Sequence, residues 1–349
     1  MSHNLLHTAR ICLLLWLAWT VASCTDTADL PAEGRTATLE LRIPQLEASA
    51  TRATIAGSEL ENAIYTLRVI ILSQSVGVES INKRFTDEDL KDGNAVITID
   101  QVPVGLVQLY VIANEASIGK DYTELSALQK DVEQDTKKLL IMDSGRTYFP
   151  KRGSVFEKES QGDNPLGLPM GWMNKSLVIN EGTNTVQVDL ERQVAKLNIE
   201  MFNTLDEPIT VQTITFGKFF SDRFYFFREQ NLDVPEDAGY AGKEFDKIGP
   251  SDNGIEIEAN STETMVCYIY PSFAWKSIND ISPYTIGFTT SSNNKYNPMK
   301  FVNDYGALNS IARNTQLNIH ATLSKNANIS ISFEVVDWVG ETVDVPTFN

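Results

Sequence analysis

Cysteine is nearly absent, with three in 349 residues: Cys12 inside an apolar run near the amino terminus, Cys24 just after it, and Cys267 within Met265-Val-Cys-Tyr-Ile-Tyr270. If a leader is removed before Cys24 and that cysteine is acylated, Cys267 is left alone and no intramolecular disulfide can staple the chain. Its apolar setting marks it as a small buried hydrophobe. Histidine is as scarce. His3 and His7 fall in the leader and His320 stands by itself in a strand pattern, which excludes a histidine-based triad or a histidine cluster for a metal. Positive charge is short as well: 29 Lys and Arg against 46 Asp and Glu give a net charge of -17. Phosphate binding needs clustered cations, so nucleic acid is excluded as a partner. After the leader, no stretch has the roughly twenty apolar residues that a membrane-spanning helix requires.

Catalytic motifs are missing too, and no cofactor or metal is expected. Ser80-Ile-Asn-Lys83 and Ser251-Asp-Asn253 share letters with a penicillin-binding signature, but no Lys-Thr-Gly element comes after them. Asp87-Glu-Asp89 with Asp92-Gly93 looks faintly like a calcium loop. Lys91, however, falls where an oxygen ligand belongs, and the glycine is out of register. Acidic positions around Asp233, Glu236 and Asp237 read as solvated surface. Carboxylate pairs for glycoside hydrolysis can lie far apart in a chain, but nothing here points to one.

What the sequence does have begins at Arg10. An apolar run, Ile11 to Ala22, comes after that cation and closes on Ser23-Cys24. This is the layout of a signal peptide over residues 1–23, with cleavage leaving Cys24 at the amino terminus. Acyl chains on the Cys24 sulfur and amine contribute about 0.8 kcal/mol per buried CH₂, enough for firm anchoring in the outer membrane. An ordinary secretory signal beside a chance cysteine is the plainer reading. The polar stretch from Thr25 to Glu33 suits a tether.

Beyond the tether the period is two. Thr36-Ala-Thr-Leu-Glu-Leu-Arg-Ile43 alternates, and strands are also expected over 64–72, 95–99, 106–113, 139–142, 176–179, 185–190, 194–201, 209–216, 223–227, 265–270, 284–289, 315–323 and 329–335. Val102-Pro103 is expected to interrupt its run, and residues 145–169 and 228–262 to be loops. One helix is expected from Thr123, with Leu125, Leu128 and Val132 on one face. Many short strands with one or few short helices predict an all-β chain. The expected organisation is a signal peptide over 1–23, a propeptide with an exchangeable strand over 24–52, and β-sandwich domains over 53–190 and 191–349. About 325 residues after the leader suffice for two such domains.

Two alternating strands stand at opposite ends of this chain. The first precedes Thr51-Arg52-Ala53. The last lies within Ile329 to Val345 and carries Ile329, Ile331, Phe333, Val335, Trp338, Val343 and Val345. Cleavage after Arg52 by an arginine-specific envelope protease would let the first strand leave. The groove left behind would accept the last strand of another copy. Head-to-tail insertion does not close, so it builds filaments. The plainer alternative is that Arg52 lies in a loop and both strands belong to their own sheets.

The chain also resembles the fimbrillin family of Bacteroidales, the FimA-like subunits of type V fimbriae. The resemblance is carried by Ala22-Ser-Cys24, Thr51-Arg52-Ala53, Leu125-Ser-Ala-Leu128 leading into Leu140-Ile-Met142, Leu190-Glu-Arg-Gln-Val-Ala-Lys196, Ile311-Ala-Arg-Asn314 with Leu317-Asn-Ile319, and Ile329 to Trp338. It implies two transthyretin-like β-sandwich domains and a lipoprotein precursor acylated at Cys24. It also implies cleavage between Arg52 and Ala53, donor-strand polymerisation with other fimbrial subunits, and adhesion, with host surface ligands as further partners. The carboxy terminus, Val345-Pro-Thr-Phe-Asn349, departs from subunits that end on tryptophan. A shaft or accessory subunit leads. An anchor keeping Cys24 and its strand comes second, and a tip adhesin would need no donor strand. A surface glycan-binding lipoprotein is the different-class alternative. It would need an exposed aromatic platform, for which Phe219-Phe220 and Phe224-Tyr-Phe-Phe227 are the candidates.

Overall fold

The structure is a computed structural model. It describes residues 35–44, 59–74, 79–86, 88–90, 96–128, 141–143, 167–221, 223–225, 227, 238–246, 248, 253–274, 282–291, 295–303, 306–325 and 328–338. The leader, Cys24, Arg52, Ala53, Val343, Val345 and the expected helix beyond Leu128 lie outside the described residues, as do Asp87, Asp92, Gly93, Asp233, Glu236 and Asp237.

Strands dominate, as the alternation predicts. They are β1 Thr36–Arg42, β2 Thr66–Ser73, β3 Ile81–Thr86, β4 Val96–Pro103, β5 Gly105–Ala113, β6 Ile141–Asp143, β7 Met170–Ile179, β8 Thr183–Gln187, β9 Glu191–Arg192 and β10 Ala195–Asn203. Next come β11 Ile209–Ser221, β12 Arg223–Tyr225, β13 Tyr240–Phe245, β14 Ile255–Ile257, β15 Thr262–Ile269 and β16 Thr285–Thr290. The series ends with β17 Lys295–Lys300, β18 Val302–Asn303, β19 Gly306–Ala307, β20 Thr315–Ser324 and β21 Asn328–Asp337. Helix among the described residues is confined to short turns, including 125–128 and the 3-10 turns Glu59–Asn62 and Glu115–Ile118.

The same strand order occurs twice. In the first half β1 lies between β4 and β8, antiparallel to β4 and parallel to β8. In the second half β10 lies between β15 and β20 with the same polarities, antiparallel and then parallel. Facing these, β3-β2-β5-β7 and β13-β11-β16-β17 repeat one antiparallel order. The second half adds β21 beside β20, and the first adds β9 beside β7.

Burial keeps to the period. On β1 Ala37, Leu39 and Leu41 point inward and, with Ile43, join Leu67, Val69 and Ile71 of β2 and Val107, Leu109 and Val111 of β5 in one core. The alternate residues of β2 and β5, Ile70, Leu72, Tyr110 and Ile112, face the other way. They meet Val194, Phe227, Tyr268, Tyr270 and Trp338 from the second half. A sheet covered on both faces favours a near-continuous apolar run, and Leu67 to Leu72 is apolar at every position but Arg68. A third cluster fills the space between the sheets of the second half, around Leu197, Ile199, Phe216, Phe288 and Leu317.

Several details differ from expectation. The Val102-Pro103 break is instead a bulge: Ala37 pairs with Val102 but Leu39 with Ile99, and Gln101 takes φ 60°. Pro103 then closes β4 on the sheet edge, where its missing N–H costs nothing. Residues 228–262 are not all loop, since β13 and β14 both pair with β11. The segment near Leu139 to Met142 joins no large sheet: β6 pairs with β12 in a two-stranded ribbon.

Candidate functional site

The two end strands singled out by sequence have contrasting seats. β1 is the middle strand of its sheet, and Leu39, Leu41 and Ile43 are fully buried. Backbone bonds beyond the ladder extend its grip: Thr38 N donates to Gly182 O at 2.9 Å and Val188 N to Arg42 O at 2.8 Å. Each such aliphatic side chain contributes about 1.5–3 kcal/mol by leaving water. Withdrawing β1 would therefore open an apolar trough and strip ladder partners from both β4 and β8.

β21 lies at the edge of its sheet, paired antiparallel with β20 from Asn328 to Asp337. Ile329, Ile331 and Phe333 are half-buried against the second-half core, and Phe333 meets Phe301 edge to face at 5.4 Å. Val335 and Val336 are exposed. A cleft of about 580 Å³ runs beside the strand, between Phe333–Val335 and Gly306–Ser310. Trp338, directly after the strand, is 6% exposed and packed with the residues that join the two halves. Both end strands thus sit in sheets of their own chain, as the plainer alternative expected.

Trp338 is held by a polar cluster that the sequence did not announce. Its ring stacks on Tyr268 at 5.7 Å and 13°, and the Arg192 guanidinium lies 4.3 Å from the ring centre. Its Nε1 donates to Glu61 Oε2 at 2.9 Å. Glu61 also accepts from Tyr268 OH at 2.7 Å and pairs with Lys196 Nζ at 2.9 Å. Arg192 donates to the carbonyl oxygens of Trp338 at 3.1 Å and Glu61 at 3.3 Å, to Asn314 Oδ1 at 3.0 Å, and to Asn62 Oδ1. Burial lowers the pKa of Arg192 from its ordinary value, and the Glu61 charge works against that. Arg192 and Lys196 belong to Leu190 to Lys196, one of the segments on which the sequence resemblance rests. Glu61 belongs to a short turn with no periodic signal.

The remaining candidates are structural. Cys267 is buried, which pushes its thiol well up from the ordinary value. Phe219, Phe220 and Phe227 are buried, so these aromatics are core rather than platform. His320 Nδ1 lies 2.7 Å from Glu200 Oε2 at an exposed position. Among the described residues no group of three or more His, Cys, Asp or Glu is placed to hold a metal.

Fold and cluster together define an all-β chain built around strand packing. Residues 37–199, a little under half of the chain, match the family model described as major fimbrial subunit protein (FimA). No curated protein matches the sequence. A Bacteroides eggerthii structure named as a candidate cell adhesion protein covers 88% of this chain and 98% of its own, at 14% identity and a TM-score of 0.51, and shows the fold. The C-terminally truncated tip fimbrial protein Mfa3 of Porphyromonas gingivalis covers 87% of this chain and 99% of its own, at 13% identity and a TM-score of 0.49. A fimbrilin (FimA) from P. gingivalis W83 covers 87% and 98%, at 12% identity and a TM-score of 0.47. Family and fold neighbours are structural fimbrial and adhesion proteins rather than enzymes.

Proposed function

We propose that this chain is a shaft or accessory subunit of a surface fimbrium that polymerises by exchanging strands between copies or with other fimbrial subunits. In this reading it reaches the outer membrane as a lipoprotein precursor acylated at Cys24, with a first domain over 53–190 and a second over 191–349. An arginine-specific protease cuts between Arg52 and Ala53. β1 departs, and the carboxy-terminal segment of a neighbour, from Ile329 through Val345, takes its place.

One observation carries the proposal. The strand upstream of Arg52 is the middle strand of its sheet and fills its core. Losing it leaves β4 and β8 facing an apolar slot with unpaired backbone, a vacancy that strongly favours refilling by another strand. The segment offered carries apolar residues at Ile329, Ile331, Phe333 and Val335, the same two-residue spacing as Ala37, Leu39, Leu41 and Ile43. β21 leaves from an edge, so its departure breaks one ladder rather than two.

The test uses surface material from cells expressing the full chain and a truncation ending before Ile329. Mature protein is expected to begin at Ala53 and to migrate as a polymer ladder, with the truncation cleaved but monomeric. An amino terminus at acylated Cys24 would overturn the shaft reading in favour of an anchor. An unchanged ladder from the truncation would reject the donor role.

A further inference from the structure

Between Phe333 and Trp338 no side chain of β21 is buried: Glu334, Val335, Val336 and Asp337 are all exposed. The carboxy-terminal half of this edge strand is therefore held by its ladder with β20, by one exposed side-chain bond in which Asn318 Nδ2 donates to Glu334 Oε1 at 2.8 Å, and by Trp338, the residue next in the chain. Every polar group of Trp338 has a partner. Its backbone N–H donates to Asn314 O at 3.2 Å, its carbonyl accepts from Arg192, and its indole N–H donates to Glu61. Glu61 and Asn62 belong to the turn Glu59–Asn62, which begins seven residues after Arg52 in the sequence. Arg192 and Lys196 stand where the first set of sheets passes to the second.

We propose that Glu61, Arg192 and Lys196 form a lock on Trp338 that sets whether the end of β21 stays in its sheet, tying that strand to the turn downstream of the Arg52–Ala53 step. The lock has two positions rather than a graded response. A buried charge network that is fully satisfied is rigid, whereas removing one donor leaves charge uncompensated and loosens the rest. With Trp338 seated, the Glu61 carboxylate has three donors around it: an indole, a phenol and an ammonium. With Trp338 withdrawn, Arg192 loses the ring and the Trp338 carbonyl while keeping that of Glu61, and water reaches the Glu61–Lys196 pair. The end of β21 is thus held in full or released as a unit. The biological use of this lock, gating the donor segment, rests on the strand-exchange reading; the lock itself does not.

Hydrogen exchange on the unassembled full-length chain tests it, with Glu61→Gln and Trp338→Phe compared to the parent. Trp338→Phe keeps a ring against Tyr268 and removes the N–H that Glu61 accepts, so it decides the matter should Glu61→Gln fail to fold. Amides of residues 328–338 are expected to exchange at least about tenfold faster in either variant, with β1 and β11 keeping their protection. Unchanged exchange at 328–338, or acceleration by the same factor at β11, overturns the lock. If exchange accelerates as expected while the truncation before Ile329 still forms a polymer ladder, the lock stands and the strand-exchange reading falls.

Discussion

At the scale of single residues, the polar groups inside this molecule explain more than the apolar ones. Arg68 interrupts the apolar run of β2 and is 3% exposed, yet its Nε and Nη2 bind Glu115 at 2.7 and 2.6 Å. A cation in a buried run gives no hint in sequence of a partner so far along the chain, and this pair is not legible there. Cys267 is legible, because the residues on either side of it are apolar. Burial raises its pKa from the ordinary 9.0, so the folded thiol keeps its proton after the unfolded one has lost it. The stability linked to this group is therefore whole below pH 9.0 and declines as pH rises above it. Two outcomes are expected. Thiol reagents at pH 8 label Cys267 only in denaturant, and Cys267→Ala shows a shallower loss of unfolding free energy between about pH 9 and 11, read from urea titrations. Rapid labelling of Cys267 in the native protein would contradict this burial.

At the scale of elements, legibility tracks one-sided burial. β1, β10 and β20 alternate buried and less buried residues, and the sequence pattern marks each nearly to the residue. β3 and β13 carry no such alternation, because each is an edge strand with most side chains in or near water, and the pattern marks neither. β14 is three residues long, too short to show a period. The bulge in β4 hides for another reason: a valine-proline pair reads as a break, whereas an edge strand can end on proline. The middle position of β1 makes a direct prediction. Leu41→Ala empties a fully buried site between two sheets and is expected to cost about 2–5 kcal/mol in urea unfolding of the full-length chain. A loss below roughly 1 kcal/mol would show that β1 contributes little to its core.

At the scale of the whole molecule, the repeated strand order is invisible in the sequence. Topology is shared between the halves through polarity and position, and the residues that satisfy it are interchangeable aliphatics: Leu39 and Leu41 in one half, Leu197 and Ile199 in the other. The junction is also beyond reach, since it is assembled from Tyr110, Phe227, Tyr268 and Trp338, far apart in the chain. Of the candidate site, the end strands can be read from their alternation, the segment Arg192 to Lys196 only through the resemblance, and Glu61 not at all.

β4 runs against β1 and β8 runs with it, so the two flanks of β1 oppose each other. A ribbon entering that gap head first or tail first meets one parallel and one antiparallel neighbour either way, and main-chain bonding is nearly blind to its sense. Direction has to be decided by shape, by the small Ala37 at one end and the bulky Ile43 at the other. Arrow-like order along any such assembly would then be written in side-chain volume.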